Sequence, residues 1–150
     1  MIINHIAEIY LVYCACMIAH EMSHVLAANL IGLRVVQVQL GENLFAVKIR
    51  RLSVSPNMLY GSSVDFIVTD LLVKTKTEIC IFFMSGMVAN LLTAIVGGLL
   101  MRWNVPLLGN ALLWESLVLV LVSVLPVCPW SSDMKQLRMF MRMKKKGVTE

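Results

Sequence analysis

Residues 6–31 read IAEIYLVYCACMIAHEMSHVLAANLI, an apolar run into which His20, Glu21 and His24 are set. A helix rises about 1.5 Å per residue, so about 20 residues cross the roughly 30 Å hydrocarbon core of a bilayer. The run is long enough to do so. Two histidines and a glutamate are costly at that depth, and ionisable groups inside a span default to function. On a helix His20 and His24 stand one turn apart on the same face, so both imidazoles can reach one metal ion. Glu21 projects beside that point, where a carboxylate can take a proton from water. The competing reading of an HExxH pentad is an incidental helix face, and the apolar setting argues against it.

The whole chain shares this character. Of its 150 residues 59% are hydrophobic and only 15% charged, with a mean hydropathy of +0.80. Soluble domains run nearer 45–50% apolar and about 25% charged, so lipid must cover much of this surface. Two more stretches are long and apolar enough to span, about 79–101 and 111–128, the last interrupted by Pro126 with Pro129 just beyond. The expected class is a mainly α membrane protein of one domain, residues 1–150, with three transmembrane helices. No Lys or Arg precedes the first run, so the charged region of a cleavable signal peptide is missing.

Charge orients the spans. Arg34, Lys48, Arg50, Arg51, Lys74 and Lys76 lie between the first two, and Lys135, Arg138, Arg142, Lys144, Lys145 and Lys146 follow the third. Only Arg102 lies between the second and third. The positive-inside rule then puts the N-terminus outside and the C-terminus in the cytosol, and the expected location is a bacterial plasma membrane. Trp103, Trp114 and Trp130 suit the two interfaces. Although the net charge is +4, the basic residues flank apolar runs and form no surface for reading nucleic acid. Cys14, Cys16, Cys80 and Cys128 lack CxxC spacing and read as small buried apolar residues.

The stretch 34–77 is expected to be cytosolic. Val36, Val38 and Leu40 alternate with Gln37 and Gln39, Gly41-Glu42-Asn43 supplies turn residues, and 44–49 resumes as a second strand. The pattern predicts a β-hairpin at the membrane surface. Residues 64–73 follow as an amphipathic segment in the interface, and the basic tail 134–150 reads as an anchor near anionic lipid.

Two histidines leave a catalytic zinc site one protein ligand short. The acidic candidates are Glu42, Asp65, Asp70, Glu78, Glu115 and Asp133. Glu42 falls in the expected turn, and Glu115, like Glu8, near the outer end of its span. Asp133 fits best, because it ends the third span on the cytosolic side after a proline-broken segment, and irregular backbone at membrane depth is tolerated where it lines a polar cavity. Its plainer role is to cap a cytosolic helix starting near Met134.

Three features together resemble the site-2 protease family of intramembrane metalloproteases. They are Ala19-His20-Glu21-Met22-Ser23-His24 in the first span, Ser85-Gly86-Met87-Val88-Ala89-Asn90 in the second, and Leu125-Pro126 followed by Asp133. The middle one is like the family's G-x-x-x-N element. Met134 stands where the family usually has glycine, and Ser123 where an asparagine often precedes the leucine-proline pair. The resemblance implies one zinc ion held by His20, His24 and Asp133, with Glu21 catalytic. It further implies that the hairpin binds substrate as an added strand, and the small size suggests a transmembrane or signal-peptide-like peptide as that substrate. Asn90 either steadies that substrate or joins helices beside Gly86. The alternatives are a non-catalytic metal-binding regulatory or adaptor protein, and a metal transporter, for which the outer halves of the spans offer few polar groups.

Overall fold

The computed structural model describes residues 2–41, 46–55, 62–125 and 133–145, with side chains from residue 6 onward. The order is α1 (Ile2–Leu30), β1 (Val35–Leu40), β2 (Val47–Ile49), β3 (Leu52–Val54), β4 (Ser62–Phe66), α2 (Val68–Val73), α3 (Lys76–Arg102), α4 (Pro106–Val124) and α5 (Asp133–Lys145). Three stretches are long and apolar enough to cross a membrane: Ile6–Leu30, Lys76–Arg102 and Pro106–Val124. They match the three expected spans within a few residues, save that α4 begins at Pro106 rather than near Ala111. Proline suits the first helical turn, where its missing N–H leaves no bond unmade. The longer helix moves Glu115 from near its outer end to its middle. Residues 126–128 of the expected third span lie outside the described residues.

Local chemistry ends and starts these helices. After α1, Gly32 takes φ +65°, its N–H bonds to Asn29 O at 3.2 Å and that of Leu33 to Ala28 O at 2.8 Å. This paired closure needs a left-handed residue, which glycine supplies without a Cβ clash. At the start of α3, Thr75 and Glu78 form a reciprocal capping box. Glu78 is thereby engaged as a cap, its carboxylate 2.7 Å from the backbone N–H of Thr75.

The expected hairpin is not the observed pairing. The strands form one four-stranded sheet in the order β2-β3-β1-β4, in which β1 runs parallel to β3 and antiparallel to β4. The tight hairpin joins β2 to β3 through Arg50 and Arg51, with Arg50 at φ +55°. The expected turn residues Glu42 and Asn43 lie outside the described residues. A period-two pattern marks a strand but not its partner, and here the partners come from residues 52–54 and 62–66. The stretch expected as one amphipathic segment, 64–73, is split between the end of β4 and α2.

Val38 and Leu40 point into the fold while Val36 stays exposed, because the β1–β4 register shifts between Val35 and Gln37. The buried pair packs against Tyr13, Cys14 and Val25 of α1. The sheet therefore lies alongside the middle of α1, level with the HExxH pentad, rather than beyond the helix end at a surface.

The main core lies around the N-terminal part of α3. Phe82 and Phe83 gather with Phe66 of β4, Phe140 of α5 and Leu71 of α2. Arg34 grips Asp70 with two bonds of 2.7 and 2.9 Å, tying the approach to β1 to α2. That fork holds the Asp70 carboxyl below the usual carboxylate range. The expected basic tail is a helix, α5, whose Leu137 and Phe140 are buried. Lys144 donates to the carbonyls of Leu72 and Lys74 at the end of α2, where a cation favours the helix dipole.

Among the glycines the sequence offers for helix packing, Gly97 and Gly98 part ways. A Cβ on Gly97 would stand 2.7 Å from the backbone N of Leu113 and 2.8 Å from the carbonyl of Gly109, the α3–α4 crossing, whereas one on Gly98 meets nothing within 4 Å. Gly97→Ala should therefore cost about 1–3 kcal/mol by forcing backbone apart. Gly98→Ala should stay within about 0.5 kcal/mol of wild type. Thermal unfolding of the two variants in detergent checks the difference.

Candidate metal centre

The centre is assembled from three helices. The pentad sits in the C-terminal half of α1, and its histidines face α3 across a very close approach. A Cβ on Gly86 would lie 2.4 Å from Nε2 of His20 and 2.7 Å from Nε2 of His24. The absent side chain is the space in which the imidazoles stand. Phe82, Gly86 and Asn90 recur every fourth residue of α3 and so form one stripe towards α1.

Each imidazole is held from behind. His24 Nδ1 lies 2.8 Å from the carbonyl of Phe82. A carbonyl only accepts, so His24 carries its proton on Nδ1 and leaves Nε2 with a lone pair. The Ser85 hydroxyl donates to the same carbonyl at 2.8 Å. His20 Nδ1 lies 2.9 Å from the Asn90 amide. Both histidines are buried, and Asn90 is wholly enclosed.

Asp133, the first residue of α5, closes the group. Its Oδ2 is 3.2 Å from His20 Nε2 and its Oδ1 is 3.5 Å from His24 Nε2, while the two Nε2 atoms are 3.3 Å apart. Donor atoms about 2.0–2.2 Å from one tetrahedral zinc would stand about 3.3–3.6 Å from each other. Asp133 Oδ2 is buried and has no hydrogen-bond partner, an oxygen that a cation would satisfy. A nitrogen, nitrogen and carboxylate set within 4.8 Å can hold a metal ion.

Glu21 is 5% exposed and accepts a 2.5 Å bond from the hydroxyl of Ser62, the first residue of β4. The sheet thus reaches the carboxylate directly. Of the six acidic residues considered as third ligands, Asp133 alone joins this group among the described residues. Asp70 is held by Arg34, Glu78 caps α3, Asp65 stands in β4 opposite Gln37, and Glu115 lies mid-way along α4. Glu42 lies outside the described residues. Sequence reasoning missed the Phe82 carbonyl and Ser62, and quoted Ser85 without giving it a role. The first has no side-chain signature, and an isolated serine carries no signal of its own.

Three long apolar helices around a buried His/His/Asp group make this a helical membrane-type metalloprotein by architecture. Residues 8–141 match the model of Peptidase family M50, and the chain belongs to that family. It is a site-2 protease-like metallopeptidase, of a family of zinc-dependent proteases that act within membranes. No curated protein and no solved structure matches the chain.

The Gly86 contact gives a direct prediction. Gly86→Ala should displace both imidazoles and reduce retained zinc by at least about tenfold, the lower end of what disturbing a ligand's support costs. Elemental analysis of the purified chain against wild type reads it out.

Proposed function

We propose that this chain is a zinc endopeptidase that hydrolyses a peptide bond in a membrane-embedded segment or a membrane-associated, signal-peptide-like precursor near the cytosolic face. The observation that carries the reading is the convergence of His20, His24 and Asp133 with Glu21 beside them. His20, His24 and Asp133 would hold the ion. Zinc, when bound, supplies a Lewis acid that polarises the scissile carbonyl and makes water more acidic.

The remaining chemistry belongs to the chain's own groups. Glu21 takes a proton from the attacking water and returns it to the leaving amine nitrogen. The Ser62 hydroxyl steadies one oxygen of that carboxylate. β4 is the outer strand of the sheet on this side among the described residues, so its outer backbone groups can bind an extended substrate as an added strand. Because Ser62 opens β4, a peptide docked there would run past Glu21. The apolar helix surface keeps bulk water from the site. The basic residues of the β2–β3 hairpin and of α5 support a cytosolic placement of both segments, with the N-terminus outside.

Glu21→Gln keeps size and hydrogen bonding but cannot accept the proton. Cleavage of a signal-peptide-like reporter should fall about 10²–10⁴-fold, while zinc content stays at the wild-type level. Turnover at the wild-type rate would sink the proposal, and unchanged biological function in that variant would favour a non-catalytic regulatory role.

A further inference from the structure

The two histidines of the pentad are supported by different chemistry. His24 is backed by a main-chain carbonyl, so only one tautomer fits it. His20 is backed by a carboxamide, which can donate through its nitrogen or accept through its oxygen. To offer a lone pair at Nε2, an imidazole must keep its proton on Nδ1, and that proton needs an acceptor when buried.

With its nitrogen towards His20 Nδ1, the Asn90 amide leaves its own Oδ1 buried and without a partner. A carbonyl oxygen buried without a partner loses its hydration with nothing to offset the loss. Turning the amide by 180° leaves its shape unchanged and brings Oδ1 onto Nδ1. The unpaired oxygen then accepts the Nδ1 proton, and the lone pair of Nε2 faces His24 and Asp133. One rotation of the only wholly enclosed asparagine among the described residues thus gives the Nδ1 proton its acceptor and prepares His20 as a ligand.

Resting on the zinc reading above, we propose that Asn90 is a positioning residue: its side-chain oxygen accepts the His20 Nδ1 proton and so fixes the tautomer and ring orientation that coordinate the metal. Asn90 is 0% exposed and lies behind the imidazole, so it acts through His20. This replaces the substrate contact that the G-x-x-x-N resemblance implied for it. A partner of this kind is worth about 10–100-fold in metal affinity.

The test compares the full-length wild type with Asn90→Leu, which has similar bulk but no acceptor, and Asn90→Asp, which can only accept. Zinc affinity is measured in detergent by chelator competition, and ¹⁵N-histidine NMR reports which nitrogen of His20 carries the proton in the zinc-loaded chain. The expected result is a 10–100-fold loss of affinity for Asn90→Leu and recovery to within about threefold in Asn90→Asp. The wild type should show the His20 proton on Nδ1. Wild-type affinity in Asn90→Leu, a loss in Asn90→Asp as large as in Asn90→Leu, or a proton on Nε2 overturns the assignment while the zinc reading stands. A wild type that binds no zinc overturns both. If Asn90→Leu does not fold, Asn90→Asp and the wild-type spectrum still decide the matter.

Discussion

The close approach of α3 to α1 at Gly86 is the constraint on which the rest of the structure depends. Two imidazoles and a carboxylate inside a bundle of apolar helices can be tolerated only if every polar atom finds a partner. Glycine lets the α3 backbone come near enough for its Phe82 carbonyl and Asn90 amide to reach the rings. A side chain at that position would occupy the same volume as the histidines. The helix contact and the metal centre are one feature of the packing.

The position of Asp133 depends on this contact at one remove. Asp133 starts α5, and α5 is held against α3 by Leu137 and Phe140 and against the end of α2 by Lys144. The aromatic group of Phe66, Phe82, Phe83 and Phe140 joins β4, α3 and α5 into one body. Phe82 serves twice, through its ring in that core and its carbonyl on His24. The hydrophobic core thereby sets the position of Asp133 relative to histidines more than a hundred residues away in the chain.

The sheet has a similar double attachment. Val38 and Leu40 bury against α1, and this seats β1 beside the pentad. β4 then falls next to Glu21, and Ser62 bonds to it. β4 is the edge strand of the sheet on this side among the described residues, and a sheet edge suits an extended chain. Had residues 35–40 paired with 44–49 as a simple hairpin on a surface, no strand would have reached the carboxylate.

Sequence by itself determined the three long helices and the paired histidines on one face of the first. Length and apolarity select a span without reference to any other residue, and a four-residue spacing puts His20 and His24 on one helix face whatever surrounds them. It also singled out Asp133, from its charge and its place after a proline-broken stretch. Strand existence at 35–40 was legible in the alternation of its residues, and its partners were not, since pairing joins segments whose local patterns are alike. Only the tertiary structure decided that Gly86 clears space for the rings, that a main-chain carbonyl orients His24, that Asn90 backs His20, and that Ser62 meets Glu21. Each is a contact between distant segments whose residue types, taken alone, suit many roles, and the packing of α1, α3, β4 and α5 selects one.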